Sequence, residues 1–224
     1  MGADQAEAQV LPLAGPPAAP PPKARLSRSA RRLQLLDAAQ EVFVSAGYHA
    51  ASMDDIAERA GVSKPVLYQH FPSKLDLYLA LLGRHADSLV ADVRSALART
   101  SDYRERVLGS VQAYVDFVEH EGAAWRLVFE SDVSREPLVA ERVRRMHTEC
   151  VEAIASTIAA DTGLSDAEAL LLSIGLAGVA EAGAKGWLAA GGSRGPVPKD
   201  RAVALLARLT WRGIAGFPGP ADRG

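Results

Sequence analysis

Residues 52–74 read SMDDIAERAGVSKPVLYQHFPSK, and this stretch spells out two short helices with a glycine turn between them. Met53, Ile56, Ala57 and Ala60 recur at the i, i+3, i+4, i+7 spacing that lays one apolar stripe along a helix. Gly61 ends that helix, because glycine reaches the left-handed backbone a tight stop needs, and Val62 can pack back on the preceding turn. Ser63 restarts the chain as a helix: its hydroxyl can accept from a backbone N–H two or three residues on, and Pro65 in the first turn forfeits no helical hydrogen bond. The second helix, predicted over 64–71, is two turns long. Leu67 and Phe71 share its inner face, which leaves Lys64, Val66, Tyr68, Gln69 and His70 for something outside. Pro72 and Ser73 stop it and cap the next, while Ser52 with Asp55 forms a capping-box pattern with a shorter acid than usual.

A three-helix unit whose short second helix is exposed suits a DNA major groove, which is wide enough for one helix. Helical hairpins that never touch nucleic acid share this spacing, so the pattern alone leaves both readings open. The residue identities go further. Ile56, Ala57, Ala60, Gly61, Val62, Ser63, Leu67, Tyr68, His70, Phe71 and Lys74 compose IAxxAGVSxxxLYxHFxxK, which resembles the DNA-binding signature of TetR-family transcriptional regulators. The resemblance implies an N-terminal helix-turn-helix followed by a helical ligand-binding and dimerisation domain.

Contacts with DNA divide into those that position and those that specify. Lys64, at the opening of the second helix, can reach guanine O6 and N7 and is the first candidate for a base contact. Val66 offers a methyl surface to thymine, and Tyr68 a ring or a hydroxyl. Ser52, Ser63, His70 and Lys74 suit phosphate oxygens. These positions match those that meet DNA in the family. One residue departs from its pattern: at Asp54, where some relatives place a basic or polar group, an acid faces a polyanion, where it could accept from a cytosine amino group, cap the helix or point away.

The net charge of −2 does not announce a nucleic-acid binder, but its distribution does. Residues 1–22 carry two acids and no base; residues 23–74 carry eight bases and five acids; the remainder carries 17 bases and 20 acids. Positive charge thus gathers where the motif lies. Cys150 is the single cysteine, which excludes an intrachain disulfide and suits a reducing compartment. The start of the chain lacks the basic lead and apolar core of a secretory signal. Within the expected helices the longest uncharged run, 169–180, is 12 residues, and the 15-residue run at 8–22 is broken by prolines; both are short of the ~20 that cross a bilayer. The expected setting is the cytoplasm, with no membrane partner.

Residues 1–24 are rich in alanine and proline and are expected to be disordered, with a PxxP pattern at 17–20 that a linker explains equally. The DNA-binding domain is expected over 25–74, the ligand-binding and dimerisation domain over 75–215, and a flexible end over 216–224. A basic arm, 23–32, leads into a helix to about Ala46 with Leu33, Leu36 and Phe43 inward. That arm could lie along phosphates or be a solvated helix start. Further helices are expected over 74–97, 102–121, around 125–130, over 137–160, 165–190 and 199–213, about nine in an all-α fold with no strand-period segment.

The helical region from 75 to 176 should bundle around an apolar space, with Tyr114, Phe117, Trp125, Phe129, Met146 and Cys150 as candidate lining, although such side chains commonly form core. In the family a small effector binds there. The stretches at 47–82 and at 117–132 (FVEHEGAAWRLVFESD) resemble a branch of TetR regulators that control fatty-acid synthesis and respond to long-chain acyl-CoA. An acyl-CoA would need a nonpolar tunnel and cations at its mouth, for which Arg104, Arg106, Arg126 and Lys185 are candidates. Gly175, Gly178, Ala182 and Gly186 lie near one helical stripe, with Trp187, Leu188, Leu205 and Leu206 nearby to bury; the family pairs its last two long helices with those of a second copy. A homodimer would set two reading helices ~34 Å apart on a partly palindromic operator.

Two other function classes would place different demands on the residues. His147 and Cys150, three apart, could share a metal, but a zinc site needs convergent third and fourth ligands, and no phosphate loop, nucleophile elbow or HExxH accompanies them. No enzyme, metal or cofactor is expected. A helical interaction module without DNA is the remaining alternative.

Overall fold

The computed structural model describes residues 26–120, 133 and 136–212. Among them are eight α-helices and no strand: α1 (Arg28–Ala46), α2 (Met53–Arg59), α3 (Lys64–His70), α4 (Lys74–Ala98), α5 (Tyr103–His120), α6 (Pro137–Thr162), α7 (Asp166–Ala189) and α8 (Lys199–Arg212), with a 3-10 turn at Gly192–Arg194. The expected helix around Trp125, the residues Arg126 and Phe129, and both chain ends lie outside the described residues.

The caps that the sequence suggested hold α2 and α4. The Ser52 hydroxyl accepts from the Asp55 N–H at 3.1 Å, and the Asp55 carboxylate takes the Ser52 N–H at 3.0 Å. Ser73 caps α4 through the Asp76 N–H at 3.0 Å. Gly61 adopts φ +64°, its N–H reaching the Glu58 carbonyl and that of Val62 the Ala57 carbonyl, the paired bonds of a left-handed helix stop. Ser63 differs from expectation: no backbone N–H reaches its hydroxyl, and only its carbonyl enters α3.

The N-terminal core is built on Leu35, Leu36, Ala39, Phe43, Ile56, Leu67 and Phe71. Leu33, expected inward, is 54% exposed. Leu35, Ala39 and Phe43, at i, i+4 and i+8, set the buried line of α1, and Leu33 falls about 200° around the helix from Leu35. This core extends past Lys74 into α4 through Leu77, Tyr78, Leu81 and Leu82, and it takes in Val133 and Val139. Phe43, Tyr48 and Tyr78 meet there with ring centroids 4.9–5.7 Å apart.

A second core lies between α4, α5, α6, α7 and α8, centred on Val111, Val115, Val118, Cys150 and Ala177. The apolar stripe of α6 is therefore divided: Val139 and Val143 join the N-terminal core, while Met146, Cys150 and Ile154 join the second. Arg84 of α4 holds Asp37 and Gln40 of α1 at 2.6 and 2.8 Å, and Arg142 of α6 holds Asp87 and the Gly83 carbonyl of α4. Both α4 and α6 thus run from the N-terminal unit to the far end of the bundle, each roughly 37–39 Å long.

By length and composition α7 could cross a membrane, with a mean hydropathy of 1.4 over its most apolar window. Its small residues Ala169, Ser173, Ala177, Ala180 and Ala184 are buried on one seam, while Leu170, Leu171, Leu172 and Ile174 are 43–71% exposed. Gly183 lets α8 approach: a Cβ there would fall 2.3 Å from Leu206. At Gly175, Gly178 and Gly186 a Cβ would meet nothing, so that stripe faces open space.

Candidate nucleic-acid interface and effector cavity

Leu67 and Phe71 anchor α3 in the N-terminal core, with Leu67 fully buried and Phe71 nearly so. Tyr68 and Gln69 are exposed, Val66 and His70 half-buried, and the Lys64 side chain 60% exposed. All five keep access to solvent, whereas Leu67 and Phe71 do not.

The α1 helix fixes α2 and α3 from behind. Gln34 donates to the Ala60 carbonyl at 2.7 Å, and Arg32 donates to the His70 carbonyl at 3.3 Å while its guanidinium lies 4.3 Å from the centre of the Phe71 ring. Arg28, Arg31 and Arg32 occupy the opening turns of α1, where the helix dipole disfavours cations and no acid offsets them. Their field reaches α3: burial first, then Arg28, Arg32 and Arg31, hold the His70 imidazole below its ordinary pKa. A phosphate would relieve both conflicts.

The candidate contacts separate in space. Ser63, Lys64 and Tyr68 are exposed, and Val66 and His70 half-buried, along α3. The Ser52 hydroxyl is already committed to Asp55, donating to its carboxylate at 2.7 Å and accepting its N–H. Lys74 points inward: its ammonium donates to the carbonyls of Tyr48, His49 and Ala51 at 2.8, 3.3 and 2.9 Å and lies 4.5 Å from the Tyr48 ring centre. All three of its donors are taken by the α1–α2 connection, so Lys74 shapes the unit from within. Spacing along the chain could not reveal this, since the carbonyls lie 23–26 residues away. Asp54 also has a partner within the unit. Its carboxylate meets the Lys64 ammonium at 2.5 Å and raises that group above the usual lysine range.

At the far end of the bundle α4, α5, α6, α7 and α8 enclose a cavity of about 480 Å³, walled mainly by apolar residues such as Leu97, Val107, Val111, Ile154, Ile158 and Leu176. Tyr103, Leu164 and Trp211 lie at its rim, where Arg106 and Asp161 form an ion pair and Arg106 also donates to the Thr100 carbonyl at 2.6 Å. Ser110 and Tyr114, one turn apart on α5, put buried hydroxyls against it. Neither has an oxygen or nitrogen partner, and Tyr114 faces only the Cys150 thiol. Burial pushes that thiol up to about 11, which makes it unreactive.

Of the residues expected to line such a space, Tyr114 does so, whereas Phe117, Met146 and Cys150 pack in the core nearer the middle of the bundle. Trp125 and Phe129 lie outside the described residues. The missed wall comes from the first half of α5, the second half of α6 and the first part of α7, with Leu97 of α4. Its aliphatic side chains carry no signal that separates cavity from core. Among the candidate cations Arg106 reaches the rim, and Lys185 instead pairs with Glu181 at 2.5 Å. His147 also meets Glu181, at 3.1 Å, and so is turned to a different neighbour from Cys150.

A family profile for bacterial regulatory proteins of the tetR family matches residues 35–81, spanning α1 to the start of α4. The HTH-type transcriptional activator FasR of Mycolicibacterium smegmatis is 48% identical over 194 residues, 87% of each chain. The chain belongs to the TetR family. It is a helix-turn-helix transcriptional regulator and not an enzyme, and TetR regulators bind operator DNA and small-molecule effectors and act as dimers. Among solved TetR structures, a TetR-like regulator from Rhodococcus sp. RHA1 is 31% identical, with a TM-score of 0.65 over 86% of this chain and all of its own. The regulator FadR of Bacillus subtilis, solved in complex with stearoyl-CoA, shares the fold at 16% identity, with a TM-score of 0.61 over 81% of this chain and 98% of its own.

Proposed function

We propose that this TetR regulator is a cytoplasmic homodimer that reads a partly palindromic operator through α3 and releases or engages it in response to a long-chain acyl-CoA, in the control of fatty-acid metabolism. The observation that carries the effector class is the apolar cavity. Its volume suits a small-molecule ligand, its wall is aliphatic, and its only buried unpaired polar groups among the described residues that line it are the hydroxyls of Ser110 and Tyr114. An acyl chain satisfies the wall and a thioester carbonyl can accept from a hydroxyl. Arg106 stands at the rim for the phosphates. The stearoyl-CoA found in the FadR of the same fold supports this reading. The exposed apolar face of α7 supports pairing with a second copy, because its open glycines admit a neighbouring backbone.

The effector and the operator are linked through α4 and α6, which reach both the cavity and the N-terminal core. An effector that weakens operator binding must itself bind less tightly to the operator complex. Stearoyl-CoA titrated into the protein–operator complex, the operator having been recovered by footprinting the upstream region, is expected to change operator affinity by tenfold or more. No change at saturating stearoyl-CoA, with operator binding intact, removes the acyl-CoA reading.

On the DNA side, Ser63 and His70 contact phosphates and Lys64, Val66 and Tyr68 face base edges, with Ser52 and Lys74 holding the unit that presents them. A phosphate against His70 raises its pKa in the complex, whereas burial and the α1 arginines lower it in the free protein. Between those two values the free imidazole is neutral and the bound one charged, so binding takes up a proton. Operator affinity should therefore climb as pH falls from about 7.5 to 6, and His70→Gln should flatten the profile. Fluorescence anisotropy at constant ionic strength measures this; a flat wild-type profile argues against a phosphate at His70.

A further inference from the structure

We propose that Asp54 and Lys64 act as one device that reads a single G·C base pair in each half-site. The inference rests on α3 being the groove-facing helix and assigns its specificity.

Asp54 stands in the first turn of α2 and Lys64 opens α3, and their 2.5 Å contact joins side chains that are 58% and 60% exposed. The pair serves no packing role, since neither residue belongs to the core. Asp54 is also not needed to cap α2, because Asp55 does that. Tyr68, one turn along α3, is close enough to contribute to the electrostatics of Lys64, so the pair is continuous with the rest of the outward face. A carboxylate on a surface that approaches a polyanion is repelled unless a hydrogen-bond donor awaits it.

The major groove supplies that donor in one arrangement. Guanine presents two acceptors, N7 and O6, and the cytosine paired with it presents the N4 amino group beside O6. An ammonium with a carboxylate at hydrogen-bond distance is the complement of this pattern: Lys64 donates to N7 and O6, and Asp54 accepts from N4. A T·A pair also offers an acceptor next to a donor, O4 beside N6. There, however, adenine N7 stands against the carboxylate and the ammonium gains one acceptor and a methyl group in place of two acceptors. An A·T pair reverses the donor and acceptor altogether. The ion pair also keeps Lys64 from folding back onto a phosphate, where it would bind every sequence alike.

The test is selection from a randomised duplex pool with the wild-type chain, Asp54→Ala and Lys64→Ala. Anisotropy then follows on the recovered operator, on copies with one G·C changed to T·A or A·T, on copies with 7-deazaguanine, and on an unrelated duplex. The wild-type chain is expected to enrich G·C at one position in each half-site and to lose about tenfold or more in affinity when that pair is changed. Asp54→Ala is expected to bind the changed and unchanged operators within about twofold of one another, yet to hold the unrelated duplex more tightly than wild type, because a negative charge has left the face. These opposite movements separate lost reading from a loosened fold, which would weaken both. The 7-deazaguanine operator should cost the wild-type chain affinity and leave Lys64→Ala unaffected. An Asp54→Ala chain that keeps the wild-type preference at every position overturns the inference. Failure of the wild-type chain to enrich any sequence overturns the groove-facing reading of α3, and this inference with it.

Discussion

Operator affinity is expected to fall by about two to four orders of magnitude when Lys64 and Tyr68 are both replaced by alanine, with the melting temperature shifted by no more than about two degrees. The two effects separate because of where the side chains stand. Tyr68 is 47% exposed and Lys64 more so, and the core contact of α3 runs through Leu67 and Phe71. Exposed substitutions of this kind leave stability nearly unchanged. On the operator, each lost base contact weakens binding by about fivefold to a hundredfold, and a two-fold dimer loses each contact twice. Leu67→Ala makes the comparison: removal of a fully buried leucine destabilises by about 2–5 kcal/mol, so operator binding and the melting transition fall together. Anisotropy on the selected operator, beside thermal unfolding followed by circular dichroism, reads both. An intact affinity in the folded double variant would return the chain to a helical module whose α3 does not touch DNA.

The second large effect is the loss of the effector response when the cavity is filled. Val107→Trp on α5 and Thr157→Trp on α6 each place an indole in the space from a partly buried wall position, so each can swing its ring into the void rather than into packed core. Whichever of the two states the filled cavity imitates, stearoyl-CoA then changes operator affinity by less than about twofold. Two walls are needed because a single variant could fail by misfolding; retained operator binding in either shows that the fold has survived. A stearoyl-CoA response of wild-type amplitude in both variants would move the effector to another site.

The signals that were legible along the chain are those whose partners lie within a turn or two. The stripe Met53, Ile56, Ala57 and Ala60 is buried as its spacing required, Ser52 caps with Asp55 as the capping-box pattern suggested, and Ser73 caps the helix that follows it. Leu33 shows where this runs out. With leucines at 33, 35 and 36, more than one face of α1 satisfies a helical period, and only the approach of α2 and α4 selects Leu35 and Leu36. The candidate pocket fared likewise. Aromatic and sulfur side chains drew attention to Phe117, Met146 and Cys150, but a cavity is a place where packed helices diverge, and its aliphatic wall looks in sequence like any core stripe.

The sequence by itself determined the helices among the described residues, the glycine stop at Gly61, the exposure of Tyr68 and Gln69 on α3 and the family resemblance, because helical period, capping and backbone preference act between near neighbours. Only the tertiary structure decided that Lys74 is held by carbonyls of the α1–α2 connection, that α6 contributes to two cores, that Asp54 holds Lys64, and that a cavity opens among α4, α5, α6, α7 and α8. Each of these depends on groups that are distant along the chain arriving within a few ångströms of one another, and that is settled by how whole helices pack.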